Sequence, residues 1–65
     1  MYITYLNKTV RLQDIVYFEK NKNFCWDIIV DNTILLSNRG YDTCQLKYEK
    51  ILASIKNGDK ICDIS

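Results

Sequence analysis

The chain has no histidine, no Cys-x-x-Cys pair, no excess of charge of either sign and no long apolar run. Each absence removes a class of activity. Cys25, Cys44 and Cys62 stand far apart, and without histidine they lack the ligand spacing of a zinc finger, the pairing of a thiol–disulfide motif and the base of a Cys–His nucleophile. Each is read as a small apolar residue kept reduced. General acid–base catalysis needs a titratable group tuned towards neutrality in a cleft, and only 8 scattered Asp and Glu residues are on offer. The expectation is therefore no enzyme, no catalytic residue, no cofactor and no metal. Asp27 and Asp31 fall on one phase of a strand, but two carboxylates are too few for a calcium cage. They are read as a solvated strand face.

Lys and Arg number 9 against those 8 acids, a net charge of +1, which provides no field to draw the chain onto nucleic acid or an anionic membrane. No basic segment followed by an apolar stretch opens the sequence, and no run approaches the ~20 residues of a bilayer span. A cytoplasmic location with no membrane partner is expected. Ile, Lys and Asn supply 9, 7 and 6 of the 65 residues, a bias that goes with an AT-rich bacterial or phage genome.

What is present is a globular composition, 48% hydrophobic and 26% charged, in 65 residues. That length means one domain, and a chain this short buries only about 60% of its unfolded surface. Tyr2 to Leu6 is rich in β-formers, with a turn placed at Asn7-Lys8. Val10 to Glu19 alternates in two phases, so a bulge or bend near Gln13-Asp14 is expected. After a turn at Asn21 to Asn23, the run Phe24, Trp26, Ile28 and Val30 faces one way, and Cys25, Asp27, Ile29 and Asp31 the other. Asp31-Asn32 suits a tight hairpin turn into Thr33 to Ser37. From Asp42 the period becomes helical, with Asp42 and Gln45 as a cap pair and Gly58 as the stop. Cys44, Tyr48, Ile51, Leu52 and Ile55 form one apolar stripe, expected to pack on Trp26, Ile28, Ile34 and Leu36. Lys60 to Ile64 reads as a short edge strand. The fold class is α+β: an antiparallel sheet of three to four strands with one C-terminal helix on one face.

Phe18-Glu19-Lys20, Phe24 to Ile28, Thr33 to Ser37, Gly40 to Thr43 and Leu52 to Lys56 resemble, in that order, a YegP-like domain over about residues 15–57. The resemblance implies a three-stranded antiparallel sheet with one helix, in a family of dimerising single repeats or fused tandem repeats without an established function. Asp31-Asn32 replaces the family's Asn-Gly turn, the helix is one residue longer, and residues 1–13 form a β extension with no counterpart. Separately, Leu12 to Glu19 resembles the opening strand of LytTR-type DNA-binding domains, but no basic recognition region follows in these residues.

One helix covers one sheet face, which leaves Cys25, Ile29 and Leu35 on the other as the expected association surface. The leading expectation is a homodimeric protein-interaction module whose second copy supplies the missing core. In a structural alternative, the N-terminal hairpin covers that face. The functional alternatives are a phage-encoded inhibitor that sequesters a host or defence protein, and a LytTR-like nucleic-acid-binding regulator.

Overall fold

Short alternating segments and a single helical stretch resolve, in a computed structural model describing residues 1–65, into six strands and one helix. In chain order they are β1 (Tyr2–Tyr5), β2 (Lys8–Arg11), β3 (Val16–Lys20), β4 (Trp26–Val30), β5 (Thr33–Asn38), α1 (Tyr41–Asn57) and β6 (Ile61–Asp63). The strands make two three-stranded sheets, ordered β2-β1-β6 and β3-β4-β5. The class is α+β with one helix, as the patterning implies. Residues 15–57 form the antiparallel sheet β3-β4-β5 followed by α1.

The N-terminal segment is not an appendage to this unit. The β1–β2 hairpin turns at Leu6-Asn7, one residue earlier than expected, and β6 pairs with β1 in parallel, Ile3 opposite Cys62. A parallel pair needs a crossover, and here the whole of β3-β4-β5-α1 supplies it. The tail strand thus joins the hairpin rather than the larger sheet. Ile3, Cys62 and Ile64 enter the same buried cluster as Ile28, Val30, Leu35, Leu36, Cys44 and Ile51. No helix is long and apolar enough to cross a membrane.

The β4–β5 hairpin turns at Asp31 and Asn32 with φ of 48° and 71°, the left-handed pair that a two-residue turn requires. Its register corrects two expectations. Val30 faces Thr33 and Ile29 faces Ile34, but Ile28 faces Leu36, so Leu35 is an extra residue at a bulge. The bulge turns Leu35 into the core beside Leu36, at 1% exposure, and leaves Ile34 on the outer side at 49%. Ile34 is therefore not a helix contact, and Leu35 is not a free surface residue. Phe24 also departs from its expected place. It sits in the β3–β4 turn at φ 61° and projects outward, with the Lys20 ammonium 5.1 Å from its ring centroid.

Gly40 caps α1, with Asn38 Oδ1 accepting its N–H at 2.7 Å. No side-chain cap forms, so Asp42 contributes only its charge in the first turn. Gly58, at φ 72°, closes the helix by donating to Ile55 O. The helix packs against both sheets, and this rotates its buried face. Lys47 Nζ donates to Ile64 O, and the same ammonium lies 5.4 Å from the Tyr5 ring centroid. Cys44, Ile51 and Ser54 are buried, Tyr48 is half-buried, and Leu52 and Ile55 remain exposed instead of packing on the sheet.

Candidate functional site

The core lies on one side of β3-β4-β5, where Val16, Phe18, Ile28, Val30 and Leu36 face α1 and the other sheet. The outer side carries the cross-strand rows Tyr17–Ile29–Ile34 and Glu19–Asp27–Ser37. None of the residues in these rows belongs to the core cluster. Ile29 is 6% exposed because Tyr17 and Ile34 flank it, while Ile34 itself and Ile15, in phase with Tyr17, stay open.

Cys25, Ile29 and Leu35 are thus not brought together. Cys25 is half-buried in the turn before β4, its N–H held by Asn21 Oδ1 at 3.0 Å. Ile29 sits in the middle of the outer face, and Leu35 lies in the core on the opposite side. Tyr17, Ile15 and Ile34 are the outer-face residues missed from the sequence. The signal for Ile34 was available, since a two-residue turn at Asp31-Asn32 places it opposite Ile29.

The two aspartates also part company. Asp27 is buried at 6% exposure rather than solvated, and its Oδ1 accepts from Asn21 Nδ2 at 2.9 Å and from the Ser37 hydroxyl. Asn21 Oδ1 in turn accepts the N–H groups of Asn23 and Cys25, so this polar patch is closed on itself. Asp31 reaches instead to the segment before β3. Its carboxylate accepts the N–H groups of Gln13, Asp14 and Ile15 at 2.6, 2.9 and 2.8 Å. Those bonds, chiefly from Ile15 and then Gln13, hold its carboxyl below the ordinary carboxylate range. The bend expected near Gln13-Asp14 is this clamped segment, and it fixes where β3 begins.

Two of the three thiols, Cys44 and Cys62, are buried. Burial, followed by the charge of Asp27, pushes the Cys44 thiol above its ordinary value, and its Sγ lies 3.3 Å from Trp26 O. Cys62 is buried beside Lys50 O. No group of three His, Cys, Asp or Glu side chains gathers to hold a metal ion.

The two edges of β3-β4-β5 differ. Beside β5, the tip of the β1–β2 hairpin borders an open cleft of about 350 Å³ lined by Tyr5, Leu6, Asn7, Lys8, Leu35 and Leu36. Lys8 Nζ donates to Ile34 O there at 3.2 Å. Along β3 the only side-chain hydrogen bond to the backbone is from the Tyr48 hydroxyl to Val16 O, at 3.5 Å. Hydrogen bonds from Asp31 N to Ile15 O and from Asn21 N to Cys25 O set the parity of the β3–β4 ladder. Tyr17 and Glu19 therefore bond to β4, and the N–H and C=O groups of Val16, Phe18 and Lys20 point away from the sheet.

Exposed apolar side chains border this edge on both sides. Ile15, which is exposed, and Tyr17, which is half-buried, lie on the outer face. On the helix side, Phe18 meets Trp26, Tyr41 and Tyr48 at 5.7, 5.7 and 4.9 Å between ring centroids. Leu52 and Ile55 continue the Tyr48 flank of α1, at 41% and 43% exposure. No protein-family model, curated protein sequence or solved structure matches the chain.

Proposed function

We propose that this protein is a non-enzymatic interaction module that works as a homodimer in the cytosol. One observation carries the reading: β3 is an unpaired sheet edge with apolar side chains open on both flanks, Ile15 beside the half-buried Tyr17 on one and Leu52 and Ile55 on the other. Such a surface on a small domain costs solubility unless a partner covers it. A second copy is the economical partner, because the same patch faces itself across a two-fold axis. The YegP-like resemblance, in a family of dimerising repeats, supports the same reading. The three free cysteines fit a reducing compartment.

Catalysis has no support in the site. The one buried carboxylate is closed into its own network, and the most deeply buried thiol is held protonated. The weak charge balance speaks against a phosphate-tracking groove. Sedimentation velocity at tens of micromolar tests the proposal. A dimer is expected for the native chain, and a species of monomer mass across that range would overturn it.

A further inference from the structure

Four strand edges face outward in this fold, and three of them carry a device that discourages pairing. β2 ends in Lys8 and Arg11, β5 has a bulge at Leu35 with Lys8 and the hairpin laid against it, and β6 is only 3 residues long. β3 has 5 residues, no proline, no bulge and no charge before Glu19. We propose, on the footing of the homodimer reading, that two copies join through β3 in antiparallel fashion, with the two-fold axis at Phe18, to make one continuous six-stranded sheet.

Parity and charge select this register. Only Val16, Phe18 and Lys20 offer outward backbone groups, so the hydrogen-bonded pairs must be drawn from them. Centring on Phe18 uses all of them. Phe18 pairs with Phe18 of the second copy, and Val16 of each copy pairs with Lys20 of the other. Parallel pairing would stack Glu19 on Glu19 and Lys20 on Lys20, whereas the antiparallel register places Glu19 opposite Tyr17 of the second copy. The Tyr48 hydroxyl at Val16 O does not block the edge, because a carbonyl accepts two bonds. The same operation brings the α1 flanks carrying Leu52 and Ile55 to the seam, which accounts for two apolar residues left open in the isolated chain.

Charge variants read the register directly. Tyr17→Glu sets like charges opposite each other in both symmetry-related pairs, and the dimer dissociation constant is expected to rise about tenfold or more. Adding Glu19→Lys to that variant restores opposite charges and is expected to recover dimerisation to within about threefold of the native chain. Val16→Pro removes an outward donor at a strand start without touching the β3–β4 ladder, and it too should weaken the dimer. Sedimentation velocity measures association, and circular dichroism melting confirms that each variant is folded. A native chain that is monomeric overturns the homodimer reading itself. A dimer indifferent to Tyr17→Glu and Val16→Pro overturns pairing through β3 alone. A dimer weakened by Tyr17→Glu and not rescued by Glu19→Lys overturns the Phe18-centred register.

Discussion

Asp31 and Ile15 hold each other through two bonds. The Asp31 N–H donates to Ile15 O at 2.9 Å, and the Ile15 N–H donates back to Asp31 Oδ1 at 2.8 Å. The first bond closes the β3–β4 ladder. The second makes the hairpin-turn aspartate a cap for the segment that leads into β3. A residue whose left-handed φ serves one turn thus also positions the edge strand.

This double role predicts an acid dependence of stability. The Asp31 carboxyl is held below its ordinary value by the Ile15 and Gln13 N–H groups, so the unfolded chain takes up the proton first. Its contribution is full at neutral pH, fades as the pH falls through about 4, and is lost below the folded-state value. Asp63 acts in the same direction, lowered chiefly by the Ser65 N–H. Thermal melts across that range should show Asp31→Asn less stable than the native chain at pH 7, with the gap closing in acid. A gap independent of pH would contradict the assignment.

The bulge in β5 predicts opposite outcomes at adjacent positions. Leu35→Ala removes a side chain from the core and should cost about 2–5 kcal/mol in urea unfolding. Ile34→Ala trims a residue that is half open and should cost less than about 1 kcal/mol in the monomer. Equal costs would mean a regular register without the bulge.

Thiol labelling should separate the cysteines. Cys25 is half-buried, whereas Cys44 and Cys62 are buried and the Cys44 thiol is pushed up by its surroundings. Alkylation of the native protein followed by mass spectrometry should mark Cys25 first, with Cys44 and Cys62 reacting only on unfolding. Early modification of Cys44 would contradict the core described above.

Gly58→Ala should destabilise the fold by about 1 kcal/mol, because alanine is strained at a φ of 72° and glycine is not. A Cβ there would meet nothing within 4 Å, so the cost is conformational and not steric. Urea unfolding that shows no loss would mean the helix ends elsewhere.

How far the sequence foretold this arrangement depends on the range of the interaction. The β4–β5 turn was legible, because Asp31-Asn32 stands between two β-rich runs and both residues tolerate the left-handed region. So was the helix, down to its stop at Gly58. The bulge was not: Ile34-Leu35-Leu36 is uniformly apolar, and such a run carries no alternation to reveal which residue is extra. The β1–β6 pairing was not legible either, since it joins Ile3 to Cys62 across nearly the whole chain. That pairing brings the second sheet against α1 and turns Leu52 and Ile55 away from the core. An unbroken alternation would place Cys25, Ile29 and Leu35 together, and the outer face instead holds Tyr17, Ile29 and Ile34 with Ile15 beside them.

Hydrogen exchange at the amides of Val16, Phe18 and Lys20 reads the β3 edge itself. Within one chain these N–H groups have no ladder partner, while those of Tyr17 and Glu19 do. Pairing through β3 leaves the three outward amides to exchange rapidly in dilute solution and protects them as the concentration rises, with Tyr17 and Glu19 protected throughout. Rapid exchange of Val16, Phe18 and Lys20 at every concentration would contradict it.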